Sequence, residues 1–379
     1  MKLIIVVISS ILISSLNSLP VSAKSLTIPS AWGPVTELTL SPSLTDGILW
    51  GIDCVTSTEC TAVGNQKNTT PLYVEKSGGI WGEAMTLDAS NVGGAHMMAV
   101  SCIGANNCTA VGYSFDVPSE PVYTTKTNGQ WGPLFALNAA PFGGGSFRGL
   151  SCTKTSECTA VGNDNNGEPI YANKIKGIWG PVKPIPALSL GGGILFGVSC
   201  TKPHNCTAVG TNNVSGLGKP MYVQMVNGKW GKLTLLDVTN PNGAIFRMVS
   251  CPKAGYCTAV GYDYNSTGGH NNPIYASETK GIWGTVSEID ASAVGGGMLT
   301  GVSCKSLNDC TAAGVSNTVA PIYATKTSKG WSSAAALIVN GDATFNRISC
   351  ISPNNCTAIG YNGASQPIYS TLSTNNSHP

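Results

Sequence analysis

The sequence predicts an all-β chain folded as a seven-bladed propeller of four-stranded antiparallel blades. Three observations carry that expectation: a cysteine pair of fixed spacing occurs seven times, the repeat length is near fifty residues, and a copy of the repeat's last strand stands ahead of the first repeat. A period of this length, built from short β-like segments, is the signature of blades arranged around an axis.

The pairs are Cys54 with Cys60, Cys102 with Cys108, Cys152 with Cys158, Cys200 with Cys206, Cys251 with Cys257, Cys304 with Cys310 and Cys350 with Cys356. All are C-x5-C, with first cysteines 48, 50, 48, 51, 53 and 46 residues apart. They read as one disulfide per blade. C-x5-C is not a usual zinc spacing, and only His204 lies inside a pair. No metal site and no cofactor is expected. Disulfides in this number belong to an oxidising compartment, either periplasm or extracellular space.

One unit runs from Gly191 to Leu235. A Gly-rich loop leads into an apolar first strand ending Gly197-Val198-Ser199-Cys200. A five-residue turn follows, then the second strand, Cys206-Thr207-Ala208-Val209-Gly210. After a polar loop, Pro220-Met221-Tyr222 opens the third strand. Asn227-Gly228 makes a tight turn, and Trp230-Gly231 starts a fourth strand running to Leu235. The other units keep this frame: second strands read CTAVG, CTAAG or CTAIG, third strands carry P-x-Y, and fourth strands begin at Trp81, Trp131, Trp179, Trp283 and Trp331. Small residues alternating with Val or Ile suit strands crowded near an axis. The once-per-blade Tyr and Trp stripes are expected to pack between blades.

Seven cysteine hairpins require seven fourth strands, yet no Trp-Gly follows Tyr369. The missing copy is Ala31-Trp32-Gly33-Pro34-Val35, so the N-terminal segment is expected to join the last blade and close the ring, leaving no sheet edge open. Residues 1–23 read as a signal peptide: Lys2, an apolar stretch from Leu3 to Leu16, and Val21-Ser22-Ala23 as the cleavage pattern. The propeller then occupies 24–372, with a tail at 373–379. No later segment has the length of a membrane helix, and the mature chain is expected to be a secreted monomer.

Charged residues make up 11% of the chain and the formal net charge is +2, which argues against nucleic acid as a partner. The cysteine hairpin followed by A-V-G, and the later N-G-x-W, resemble the repeats of exported bacterial propeller proteins, S-C-x5-C-x-A-V-G … N-G-x-W. The turn before Trp is also distantly similar to the Asp-box of sialidase-like propellers, although Lys126-Thr127-Asn128-Gly129-Gln130-Trp131 lacks the aspartate. The resemblance implies the fold over about Trp32 to Tyr369. It carries the fold rather than an activity: sialidases use an arginine trio but six blades, against seven cysteine hairpins here.

Candidate binding residues follow from variation inside the constant frame. Four residues before each first cysteine stand Trp50, Met98, Arg148, Phe196, Arg247, Thr300 and Asn346, a column expected to ring the mouth of the axial channel. The chain has only three arginines. Arg148 and Arg247 occupy that column and Arg347 lies one residue later, a shift that on a regular strand turns the side chain to the opposite face. Converging guanidiniums would hold a carboxylate, sulfate or phosphate; alternatively, each arginine caps carbonyls or pairs with an acid such as Asp342. His96, two residues before Met98, is a further mouth candidate. Asp116, Glu120, Asp164, Glu168 and Asp263 sit in separate blades without evident pairing, and Asp88, Asp237 and Asp290 read as turn-making residues. No nucleophile elbow, zincin or phosphate-loop motif occurs, so no catalytic residue is assigned. The expected function is a non-catalytic binding or adhesion module for glycans or surface proteins. A sialidase-like hydrolase or lyase and a structural envelope scaffold are the alternatives.

Overall fold

A computed structural model describes residues 31–67, 70–187, 190–212, 218–238, 243–264 and 270–374; the expected signal peptide and most of the expected tail lie outside the described residues. The described residues form seven antiparallel sheets of one plan. In the fourth blade the strands are Gly193–Lys202, Asn205–Asn212 and Pro220–Val226, followed by an outer strand in two pieces, Lys229–Trp230 and Thr234–Leu235. The outer strand was expected to be continuous. Instead the chain leaves the ladder after Gly231, whose N–H still donates to Gln224 O at 2.8 Å, and rejoins it where Thr234 faces Tyr222.

The turns follow local chemistry. Asn227 and Gly228 have φ of 48° and 80°, the doubly left-handed turn whose twist matches a hairpin. The loop inside the cysteine pairs departs from the expected five residues in every blade but the first, where one strand ends at Cys54 and the next begins at Cys60. Elsewhere the first strand runs two residues past its cysteine, and the second strand starts one residue before its own. Cys158, Cys257, Cys310 and Cys356 are therefore not the first residues of their strands, which begin instead at Glu157, Tyr256, Asp309 and Asn355. Cys108 and Cys206 likewise follow Asn107 and Asn205. In the fourth blade Pro203 and His204 alone make the turn, with His204 at φ 61°.

All seven disulfides form, with Cα separations of 3.9 to 4.0 Å: Cys54–Cys60, Cys102–Cys108, Cys152–Cys158, Cys200–Cys206, Cys251–Cys257, Cys304–Cys310 and Cys350–Cys356. The second cysteine is buried in every blade, at Cys60, Cys108, Cys158, Cys206, Cys257, Cys310 and Cys356. Cys108, Cys158, Cys206, Cys257 and Cys310 place Sγ 3.6 to 3.9 Å from the second-strand threonine hydroxyl of the preceding blade. A disulfide sulfur has no proton, so the threonine is the donor in these contacts. Cys356 lacks such a partner in the Sγ contacts and lies instead 3.8 Å from Ser352 O of its own hairpin. The bridges suit an oxidising environment outside the cytoplasm. No helix among the described residues is long and apolar enough to cross a membrane.

Ring closure has the expected register. Ala31 and Trp32 face Ser373 and Leu372, and Thr36 and Glu37 face Tyr369 and Ile368. Each Trp of the outer strands packs on the P-x-Y tyrosine of the preceding blade, at centroid distances of 5.2 to 5.8 Å. Trp32 completes that circle against Tyr323. The aromatic stripes are therefore interblade packing.

A second circle runs nearer the axis. The residue before each first cysteine accepts a hydrogen bond from the N–H of the next blade's first cysteine. Six of these acceptors are serine hydroxyls at 3.0 to 3.1 Å, and the seventh is Asp53, bound to Cys102 N at 2.7 Å. Asp53 thus puts a carboxyl where the repeat places a hydroxyl. Burial raises its pKa from 3.8 to about 6, against the opposing effects of Cys102 N–H, Lys305 and Ser349.

Candidate functional site

The candidate column owes its geometry to a β-bulge. In every blade the first-strand register skips one residue, and the skipped residues are Trp50, Met98, Arg148, Phe196, Arg247, Thr300 and Asn346. The residue before the bulge is fully buried in all seven blades: Leu49, Met97, Phe147, Leu195, Phe246, Leu299 and Phe345. The next core positions, Ile52, Val100, Leu150, Val198, Val249, Val302 and Ile348, come three residues later rather than two. The bulge therefore holds two successive residues off the core face.

The glycine ending each CTAVG-type strand makes room for this. A Cβ at Gly64, Gly112, Gly162, Gly210, Gly261, Gly314 or Gly360 would lie 1.8 to 1.9 Å from a first-strand carbonyl oxygen. No side chain fits there. Neighbouring first strands also close on one another, since a Cβ on Gly149 would lie 3.1 Å from Gly197 Cα, and one on Gly301 3.0 Å from Arg347 Cα. These inner strands carry the bulge residues around the axis.

The bulge corrects the expectation for Arg347. Being one residue later does not turn it away, because both bulge positions leave the core face. Arg347 Nη1 donates to Thr300 O of the neighbouring first strand at 2.7 Å and to Asn346 O at 3.3 Å. Its pKa falls to about 10, first through burial and then through the charge of Arg247. Arg247 also disfavours the charge on Arg148, whose pKa is lowered chiefly by burial. Arg148 and Arg247 share one ring: their guanidinium carbons lie 5.7 and 4.5 Å from the centroid of Phe196. Arg148 Nε donates to Asn163 Oδ1 at 2.9 Å, whereas the buried Nε of Arg247 has no hydrogen-bond partner.

The ion pairs among the described residues are Lys126–Glu75, His204–Glu157 and Lys219–Asp237, and none includes an arginine. Carbonyl capping therefore describes Arg347, and Asp342 is not its partner. Arg148 and Arg347 thus lie in electrostatic reach of Arg247, and among the described residues none of the three is ion-paired with a carboxylate.

The remaining column members differ. Trp50 Nε1 donates to Asn65 Oδ1 at 2.7 Å and its ring lies 6.3 Å from Tyr361, on the seam between first and last blades. Met98 is partly buried and makes no polar contact. His96 Nδ1 lies 2.8 Å from Tyr113 Oη, and its ring is T-shaped to Phe115 with the centroids 4.5 Å apart. Burial lowers its pKa to about 4, so it is a neutral imidazole near pH 7. Arg148 in turn acts electrostatically on Tyr113, which links His96 to the arginine group.

Sequence reasoning missed a second column, the residue after each CTAVG-type motif: Asn65, Tyr113, Asn163, Thr211, Tyr262, Val315 and Tyr361. Asn65, Tyr113 and Asn163 hold Trp50, His96 and Arg148 respectively. The signal was available, because this position varies directly beside an almost constant motif. The acids also needed revision. Asp263 is not isolated: its carboxyl hydrogen-bonds that of Glu288, and burial followed by Asp263 raises the Glu288 pKa. Asp164 Oδ1 accepts from Asn166 N at 2.9 Å and Glu168 N at 2.8 Å, which builds the turn. Asp88 and Asp290 make the expected turn bonds to Ser90 N and Ser292 N, both 3.0 Å, whereas Asp237 pairs with Lys219.

No protein-family model matches this chain, and no curated protein matches it in sequence. Its fold is similar to the BP39L lectin from Burkholderia pseudomallei, with TM-score 0.60 and 14% identity over 86% of this chain and 96% of that one. It is similar to YCF48 from Cyanidioschyzon merolae, with TM-score 0.58 and 13% identity over 90% and 99%. An arginine-substituted variant of AofleA from Arthrobotrys oligospora gives TM-score 0.51 and 10% identity over 83% and 92%. At such identities the likeness establishes the propeller architecture alone.

Proposed function

We propose that this chain is an exported, non-catalytic glycan-binding propeller whose axial mouth takes the carboxylate of an acidic sugar. The observation that carries the reading is the unneutralised arginine group around Phe196, with Arg247 Nε buried and unpaired. A guanidinium held on an aromatic face keeps its edge free for paired hydrogen bonds to a carboxylate. A bound anion would relieve the repulsion that Arg247 exerts on Arg148 and Arg347. The lectin description of BP39L agrees with this reading, as does the resemblance of the repeats to exported Cys-paired propellers.

The test is titration with glucuronate, N-acetylneuraminate and their neutral counterparts, by calorimetry at low and moderate salt. The acidic sugars should bind better than the neutral ones, and added salt should weaken them. Arg247→Ala should lower the affinity on the order of tenfold or more, the weight of a charge-assisted hydrogen bond. Equal binding of acidic and neutral sugars, or no effect of Arg247→Ala, would overturn the reading.

A further inference from the structure

A second column of the repeat points to a binding cleft away from the axial mouth. The third-strand residue facing each second cysteine is Lys76, Lys126, Lys174, Met225, Glu278, Lys326 or Leu372. Where it is lysine, the ammonium finds acceptors in the hairpin of its own blade or on the second strand of the preceding one. Lys76 and Lys126 donate at 2.9 and 2.8 Å to Ser57 O and Ala105 O, each three residues past a first cysteine. Lys174 and Lys326 reach the second-strand threonine of the preceding blade, Thr109 at 3.4 Å and Thr258 at 3.5 Å.

The fifth blade reverses the charge. Glu278 is fully buried; its Oε1 accepts from Gln224 Nε2 at 2.5 Å, and its Oε2 has no partner. The cleft it lines, between fourth and fifth blades, has a volume of about 230 Å³, and its walls include no lysine, arginine or histidine. Both kinds of acceptor that receive lysine elsewhere are present: Ala254, three residues past Cys251, and Thr207, the second-strand threonine. The acceptors are kept and the ammonium is gone.

From this we infer that the cleft between the fourth and fifth blades binds a free hexosamine, whose ammonium takes the place occupied by lysine in other blades and pairs with Glu278. Ser199, Thr201 and Asn205 also line the cleft. They provide more hydroxyl and amide groups than an ammonium alone uses, which suits a polyol ring better than the tip of a lysine side chain. A buried carboxyl with one bare oxygen is costly unless a donor meets it. The inference is independent of the arginine group.

The test uses the full secreted protein with glucosamine, N-acetylglucosamine, glucose and Nα-acetyl-lysine amide, read by calorimetry and by protein NMR. Glucosamine should bind, while acetylation or loss of its amine should weaken it about tenfold or more. Glu278→Gln should cause a similar loss. Glu278→Lys, which installs the residue found in four other blades, should fold normally and abolish binding by filling the cleft from within. Arg247→Ala should leave glucosamine binding unchanged. The inference fails if glucose binds as well as glucosamine, if both Glu278 variants bind like the parent, or if the lysine amide equals glucosamine.

Discussion

Replacing Asp53 with serine should stabilise the protein above neutral pH. Asp53 occupies one of the seven positions whose side chain accepts the next blade's cysteine N–H, and the other six are serines. Burial raises its pKa from 3.8 to about 6, so the folded protein favours the protonated carboxyl. The stability associated with this group is fully present below about pH 3.8 and is lost as pH rises through about 6. A difference of roughly two pH units, each worth ~1.4 kcal/mol, sets an upper figure of ~3 kcal/mol at pH 7.5. Asp53 keeps some exposure to solvent, so the measured value should fall below that. Urea unfolding followed by tryptophan fluorescence, with disulfides intact, would give the Asp53→Ser gain at each pH from 4 to 8. The gain should be near zero at the acid end and grow through pH 6. A gain that does not depend on pH, or a loss at pH 7.5, would refute the reasoning.

Three further outcomes follow from the same structure. His96 has the opposite sign: its lowered pKa of about 4 gives stability that is present above about 6.5 and lost as pH falls through 4, so His96→Phe should flatten the acid limb of the pH–stability curve. Gly210→Ala drives a methyl to within 1.8 Å of Ile194 O and should cost ~3 kcal/mol or more, whereas Gly104→Ala, with open space around it, should be close to neutral in the same denaturation assay. The N–H groups of Gly33 and Leu38, which bond Thr371 O and Pro367 O, should exchange slowly with deuterium; Trp32→Ala should speed both, and free exchange in the parent would contradict the closed ring.

The scaffold was legible because its signals are periodic and chemically specific. Cysteine pairs fix the first hairpin, a glycine (after Asn in the second and fourth blades) sets the outer turn, and the misplaced Trp32-Gly33 forces a circular reading. The spacing gave the pairing but not the turn length, because strand pairing continues past the disulfide into the loop, as at Lys154 facing Glu157 between Cys152 and Cys158. The site was harder to read because the decisive feature is an irregularity. A period-two strand puts Arg148 and Arg347 on opposite faces, and only the bulge removes that contradiction. Its trace was present in the sequence as core residues spaced by three, Phe147 to Leu150 and Phe345 to Ile348, beside a glycine that ends the motif. The supports Asn163 and Tyr113, the sharing of Phe196 by two arginines, and the contact of Asp263 with Glu288 depend on neighbouring strands and blades. No linear spacing encodes those contacts.

The most direct trial of the binding claim is a crystal structure of the disulfide-bonded protein soaked with an acidic monosaccharide. The carboxylate should lie within hydrogen-bond reach of Arg247, with the sugar beside Phe196. An ordered sugar bound elsewhere, with Arg247 Nε still unpaired, would contradict it.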